Sequence, residues 1–90
     1  MSSAVHLIIR GRVQGVSFRA GAQEQALEIG VCGWTRNCPD ETVEIHAEAE
    51  KEILKPFITW CRKGTLGADV EALELEWVQP RGFSTFEIRN

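Results

Sequence analysis

The stretch VCGWTRNCPDETVEIHAEA, residues 31–49, contains two strand patterns separated by a turn signal. The proline and aspartate of CPDE, residues 38–41, favour a tight turn. From Thr42 onward, apolar and polar residues alternate, which is the pattern of a strand with one buried face. Its inward positions are Val43, Ile45 and Ala47, and its outward positions, expected to face solvent, are Glu44, His46 and Glu48. The sequence therefore predicts a hairpin at the centre of the chain.

On the N-terminal side of this hairpin, a strand and a helix are predicted. Apolar residues alternate along AVHLIIR, residues 4–10, as they do in a strand that buries one face. From about Arg19 to Ile29 they recur instead at helical spacing, and Gly30 is a typical helix end.

On the C-terminal side, a second helix pattern runs from about Lys51 to Lys63 and ends at Gly64. Pro56 has no amide hydrogen. This helix therefore either begins late, near Glu52, with the proline in its first turn, or is kinked. Strand patterns follow over VEALELEWV, residues 70–78, and in the closing FSTFEIR.

The resulting order is β-α-β-β-α-β plus a terminal strand. It predicts the α+β class and the ferredoxin-like split βαβ sandwich. Such a protein has a mainly antiparallel sheet with two helices on one face, here with a short C-terminal strand added. No linker, repeat or low-complexity segment interrupts residues 1–90, so we expect a single domain. Many unrelated activities share this scaffold, so the function has to be argued from a site.

The composition excludes several broad classes of protein. The formal net charge is −3, which argues against a nucleic-acid partner bound by a broad basic surface. No apolar run approaches the roughly 18 residues of a membrane span, and the N-terminus has no signal-peptide pattern. We therefore expect a cytoplasmic protein without a membrane partner. Three cysteines without CxxC spacing favour reduced thiols.

The stretch GRVQGVSFRAG, residues 11–21, joins the first strand to the first helix. Gly11 and Gly15 permit tight turns and leave neighbouring amide N–H groups uncovered. A loop that ends at a helix N-terminus also directs those groups, with the positive end of the helix dipole, toward one point. The pattern therefore predicts a binding site for a small anion.

The segments GRVQGVSFR, residues 11–19, and GWTRNCPDETVE, residues 33–44, resemble those of the acylphosphatases. The resemblance extends over nearly the whole chain, to the closing FEIR. It implies an enzyme that hydrolyses acyl phosphates to carboxylate and inorganic phosphate. By position it implies that Arg19 binds the phosphate, that Asn37 orients the attacking water, and that a backbone cradle holds the anion. The catalytic residues implied are Arg19 and Asn37, and the phosphate-binding residues are Gln14, Gly15, Val16, Ser17, Phe18 and Arg19.

The chemistry of acyl phosphates agrees with these residue types. The leaving carboxylate has a conjugate acid with a pKa of about 4, so it needs no general acid. A planar guanidinium can hold two phosphate oxygens, and an amide can position a water without taking its proton. The prediction is therefore water attack on phosphorus without a metal or other cofactor. The expected partner is a small-molecule acyl phosphate. The oligomeric state is not readable from the sequence, and a monomer is the default.

Three alternatives remain for comparison. His46 with Glu44 and Glu48 could hold a metal, although such a row on one strand is more typical of a solvated face. An RNA-binding module of the RRM type has the same strand and helix order, but its first and third strands carry aromatic residues that are missing here. A domain that senses anions without turnover would keep the loop, yet it would not need Arg19 and Asn37 together.

The turn at residues 38–41 departs from the family pattern, in which Asp-Gly is common where this chain has Asp40 and Glu41. Pro39 presets a type I turn, which in a hairpin is commonly followed by a residue in the left-handed region. That position falls to Glu41. The sequence therefore predicts a positive φ angle at Glu41.

Overall fold

The computed structural model describes residues 2–90, which form five strands and two helices. The strands are β1 (Ser3–Arg12), β2 (Cys32–Asn37), β3 (Val43–Ala49), β4 (Asp69–Val78) and β5 (Phe86–Arg89), and the helices are α1 (Phe18–Ile29) and α2 (Lys51–Lys63). Neither helix within these residues has the length and apolar character needed to cross a bilayer.

The strands form one sheet in the order β4-β1-β3-β2-β5. Only the pairing of β2 with β5 is parallel, and β2 and β3 form the predicted hairpin. In the register of β1 and β3, Leu7 lies opposite Ile45 and Ile9 opposite Val43, so one face of the sheet is apolar. Both helices contribute side chains to the core on this face. The predicted α+β, ferredoxin-like fold is confirmed.

The core lies between this apolar face and the helices. Phe18 from the start of α1, Phe57 from α2 and Phe86 from β5 are its largest fully buried side chains. The rings of Phe57 and Phe86 lie 5.9 Å apart, edge to face, so the terminal strand is packed against the second helix. This packing fixes β5 beside β2, where the two strands approach the loop that follows β1.

The predicted start of α2 near Lys51 is confirmed, whereas the predicted end of β1 is wrong. Helix α2 begins at Lys51, where the carbonyl of Glu50 accepts hydrogen bonds from the amides of Ile53 and Leu54. Pro56 therefore lies inside the helix rather than in its first turn. Strand β1 continues past Arg10 through a register shift, so that Gly11 belongs to the strand. A Cβ atom at Gly11 would lie 2.2 Å from the carbonyl oxygen of Asp69, so the close approach of β4 requires glycine there.

The outward face of β3 is not solvated, contrary to the prediction. His46 and Glu48 are only 6% and 5% exposed, because the segment 79–85 between β4 and β5 packs against this face. Phe83 contacts the His46 ring, with centroids 5.4 Å apart, and Glu48 accepts a hydrogen bond from His46 at 2.7 Å. Glu44 is held between His6 and Arg36. These polar side chains are therefore part of the structure rather than a hydrated surface.

Candidate active site

A cavity of about 390 Å³ lies where the loop after β1, the start of α1 and the ends of β2 and β5 meet. Its walls contain both of the residues to which the sequence assigned catalysis, Arg19 and Asn37. The other lining residues are Val13, Gly15, Ser17, Phe18, Ala20 and Ile88. Four separate elements of the chain thus supply one concave surface.

Residues 14–18, the cradle, have an irregular backbone where they border this cavity. Gly15 has a φ angle of 75° and Ser17 one of 61°, both in the left-handed region. Ser17 is also the N-cap of α1, and its side chain makes no capping hydrogen bond. Among the hydrogen bonds that join loops, turns and caps within residues 2–90, none has a backbone amide of residues 15–20 as its donor, and the first belongs to Gly21, which donates to the carbonyl of Ser17. The site therefore offers a series of uncommitted N–H donors at the positive end of a helix.

Arg19 adds a full positive charge to these donors. It is partly buried in the first turn of α1, and its Nη1 donates a hydrogen bond of 3.4 Å to the backbone carbonyl of Arg89 in β5. No ion pair among the described residues involves Arg19, whereas Arg10 is paired with Glu74 and Arg36 with Glu44. The guanidinium of Arg19 thus keeps most of its donors for a ligand.

Asn37 ends β2, opposite Val43 of β3, and lines the same cavity. Its Oδ1 atom is buried and has no hydrogen-bond partner within residues 2–90. A buried amide oxygen without a partner is unfavourable by roughly 1–3 kcal/mol. Because Asn37 lines the cavity, its carboxamide is the group of β2 that can form hydrogen bonds with a bound molecule.

Gln14 lies in the cradle, but its side chain has a different task. Its amide nitrogen donates to the carbonyl oxygens of Cys38 and Thr42, both at 2.9 Å. These two residues flank the turn of the hairpin, directly after Asn37. The side chain of Gln14 therefore ties the cradle to the strand end that carries Asn37 and fixes the distance between them.

Of the residues predicted to bind phosphate, Gly15, Ser17, Phe18 and Arg19 line the cavity, whereas Gln14 and Val16 do not. The carbonyl oxygen of Val16 instead accepts a hydrogen bond from the hydroxyl of Thr65. Thr65 was absent from the sequence-based prediction, since no spacing or motif links it to the cradle. Only the tertiary fold brings the loop after α2 beside the loop after β1.

The donor chemistry of the cavity suits an anion rather than a cation. Its polar lining residues are Ser17, Arg19 and Asn37, and none of the described residues that line it carries a carboxylate, imidazole or thiol. Within residues 2–90, no three or more His, Cys, Asp or Glu side chains converge as metal ligands would. The hypothesis of a metal held by His46, Glu44 and Glu48 fails on geometry, because Glu44 faces His6 and Arg36 while Glu48 faces His46.

A larger cavity, of about 690 Å³, lies on the opposite face of the sheet. Trp34, His46 and Phe83 are among its walls, and neither Arg19 nor Asn37 reaches it. The Trp34 ring stacks on His46, and Arg89 covers both Trp34 and Phe83. The larger cavity is walled by packed rings and lacks both residues to which the sequence assigned catalysis, so the smaller cavity is the candidate active site.

Known proteins of one family match this chain in both sequence and structure. The profile of the family described as Acylphosphatase matches residues 5–88. The chain is 47% identical over 85 residues to an acylphosphatase of a Synechococcus species, covering 94% of this chain and 90% of the relative. It is 43% identical over 84 residues to the acylphosphatase of Anaeromyxobacter dehalogenans, covering 92% and 90%. The crystal structure of the acylphosphatase from Bacillus subtilis superimposes with a TM-score of 0.95 at 31% identity over 100% of both chains.

Proposed function

The chain belongs to the acylphosphatase family and is an enzyme that hydrolyses acyl phosphates, and we propose that Arg19, Asn37 and the cradle perform this reaction without a metal ion. The observation that carries the proposal is that one cavity is lined both by Arg19, whose guanidinium forms no ion pair within residues 2–90, and by the carboxamide residue Asn37. The two groups come from different elements and match the two tasks of the reaction, which are to hold the phosphoryl group and to aim a water.

The phosphoryl group binds in the cradle. The backbone amides of residues 15–18 donate to its oxygens, and the guanidinium of Arg19 holds two of them at once. In the transition state, negative charge spreads over the equatorial oxygens of phosphorus. These donors are fixed by the fold before the substrate arrives, so they stabilise that charge without reorganisation.

Asn37 positions the nucleophile. Its Oδ1 accepts a hydrogen bond from a water molecule, whose oxygen then faces phosphorus opposite the acyl oxygen. A bond forms between the water oxygen and phosphorus while the bond between phosphorus and the acyl oxygen breaks. The carboxylate leaves with that electron pair, and the proton of the water passes to the phosphate or to solvent. The amide contributes orientation rather than proton transfer.

The test is hydrolysis of a small aromatic acyl phosphate, first without added metal and then with a chelator. We expect equal rates. A rate that is lost with chelator and restored by a divalent metal would contradict the metal-free mechanism. Hydrolysis in water enriched in ¹⁸O tests the site of attack. We expect the label in inorganic phosphate, and label in the carboxylate would mean that water attacks the carbonyl carbon.

Several other expectations stay predictions. These are the single domain over residues 1–90, the cytoplasmic location, the monomeric state and the lack of a nucleic-acid partner. The identity of the acyl group is also open, because the polar groups of the cavity recognise phosphate and none of them selects an acyl chain.

A further inference from the structure

We propose that Thr65 is a positioning residue for the cradle, an inference that rests on the function proposed above. Thr65 lies in the loop between α2 and β4, remote in sequence from residues 14–18. Its Oγ1 donates a hydrogen bond of 2.7 Å to the backbone carbonyl oxygen of Val16, in a partly buried setting. This bond joins the cradle to the loop after α2.

Through the geometry of the peptide unit, the hydrogen bond to the Val16 carbonyl also fixes the direction of the Ser17 N–H. The unit is planar and trans, so the carbonyl of one residue and the N–H of the next point in opposite directions. The carbonyl of Val16 is directed toward Thr65. The N–H of Ser17 must therefore point away from Thr65. Ser17 lines the cavity, whereas Val16 does not. The hydroxyl of Thr65 thus sets the direction in which one cradle amide faces the phosphoryl group.

The surrounding contacts agree with this orientation. The side chain of Val16 faces the same loop, since a Cβ atom built on Gly67 would lie 3.5 Å from Val16 Cγ1. Phe18 packs against Gly64, where a Cβ atom would lie 2.8 Å from the ring. The loop after α2 therefore supports the cradle on the side away from the cavity.

Ser17 needs such support because its own backbone does not favour the observed conformation. Its φ angle is 61°, a left-handed value that residues with a Cβ atom rarely adopt. Its side chain makes no capping bond that would hold it there. Strained conformations persist where the surrounding structure imposes them, and the bond from Thr65 acts on the peptide unit that includes the Ser17 nitrogen.

The test compares three variants by kcat/KM on an acyl phosphate and by competitive inhibition with inorganic phosphate, each corrected for the folded fraction. Thr65→Val removes the hydroxyl at similar volume, and Thr65→Ser keeps it. Thr59→Val is the matched control, since the Thr59 hydroxyl also donates to a backbone carbonyl, that of Lys55 at 3.0 Å, but on the exposed side of α2. Thr65→Ala carries the same test should the valine variant not fold.

We expect Thr65→Val to lower kcat/KM by about tenfold to a hundredfold, less than the loss of about a hundredfold or more when a transition-state donor is removed outright, and to weaken phosphate inhibition. Thr65→Ser and Thr59→Val should remain near wild type. In NMR spectra, added phosphate should shift the Ser17 amide of wild type strongly and that of Thr65→Val much less. A purely structural bond would not change this response.

Two results separate the inference from the proposed function. A folded Thr65→Val enzyme with wild-type kcat/KM and an unchanged Ser17 response would overturn the role of Thr65 alone, as would equal losses in Thr65→Val and Thr59→Val. Wild-type protein in which phosphate shifts no amide of residues 15–19 would instead overturn the cradle itself.

Discussion

Two runs of backbone amides within residues 2–90 each surround a point where an anion fits. In the first run that anion is a carboxylate of the chain itself, and in the second it is not. Glu48 accepts hydrogen bonds from the amides of Gly82 at 2.9 Å and Phe83 at 3.2 Å, and from that of Arg81. In the cradle, no amide of residues 15–18 is a donor in the loop, turn and cap hydrogen bonds of residues 2–90. Both runs contain residues with positive φ, as successive N–H groups that converge on an anion often do.

The difference shows how one backbone arrangement serves two purposes. Burial alone would raise the pKa of Glu48, but the hydrogen bonds from His46 and the three amides outweigh this effect and lower the pKa. That carboxylate belongs to the chain, so the interaction stabilises the fold and holds the segment between β4 and β5. The cradle opens into a cavity beside Arg19, so the same kind of interaction is left for a substrate.

The largest effect is expected when the positive charge of Arg19 beside the cradle is removed. We expect Arg19→Gln to lower kcat/KM by about a thousandfold or more and to weaken competitive inhibition by phosphate, because in the proposed mechanism the arginine contacts the phosphoryl group in both the ground and transition states. The control is Arg62→Gln, which removes the same charge from the exposed end of α2. Equal inhibition of wild type and Arg19→Gln by phosphate would refute the assigned role.

A smaller effect is expected for Asn37→Ala, which leaves the anion site intact. Turnover should fall by on the order of a hundredfold, as for the loss of one positioned hydrogen-bonding group, while phosphate inhibition changes little. Thr35→Val is a matched control in the same strand, since the Thr35 Oγ1 is also buried without a partner but lies outside the cavity. It should keep full activity. If Asn37→Ala raised KM and left kcat unchanged, that result would contradict the water-orienting role.

The variant Glu48→Gln tests the run of amides that donates to Glu48. It keeps an acceptor oxygen at this position but removes the charge. We expect a loss of about 1–3 kcal/mol in the free energy of unfolding at pH 7, since charge-assisted hydrogen bonds at a buried site are replaced by weaker ones. Activity should be nearly unchanged, because this site is on the other face of the sheet. Chemical denaturation measures the difference, with Glu24→Gln on the exposed face of α1 as the control.

Wild type and Glu48→Gln should also differ in how the free energy of unfolding depends on pH in acid. The pKa of Glu48 is lower in the folded than in the unfolded chain, so its contribution is complete above the unfolded value of about 4.3 and is lost as the pH falls through the folded value. Wild type should therefore lose stability below about pH 4 more steeply than Glu48→Gln. Parallel curves would show that Glu48 does not titrate in this transition.

The smallest effect is expected at Glu41, which has a left-handed backbone angle and lies outside both runs of amides. Glu41 has a φ angle of 70°, as predicted, and its amide donates to the carbonyl of Cys38 at 3.1 Å. We expect Glu41→Gly to gain up to about 1 kcal/mol in unfolding free energy without affecting turnover, because glycine adopts this angle freely but has a more flexible unfolded chain. Glu41→Ala keeps the Cβ atom and should gain nothing. An equal gain in both variants would point to the charge rather than the backbone.

Local patterns were enough to predict most elements of the fold. The alternation in β1 and β3 and the helical spacing in α1 are set by which side chains must leave water, so they are visible in the sequence. The left-handed angle at Glu41 was equally predictable, because Pro39 and Asp40 restrict the turn locally. The start of α2 near Lys51 was also predicted, but its pattern left the place of Pro56 open. The structure has Pro56 inside the helix, because the carbonyl of Glu50 already accepts hydrogen bonds from the amides of Ile53 and Leu54.

The sequence by itself determined the order of the elements, the family, and Arg19 and Asn37 as the residues on which to propose the chemistry. Only the tertiary structure decided which polar groups are satisfied. Hydrogen bonds between distant segments, such as Thr65 with Val16 and Glu48 with residues 81–83, depend on where β4 and the loops around it pack. A buried donor must find an acceptor in space rather than along the chain, and sequence spacing carries no record of that distance.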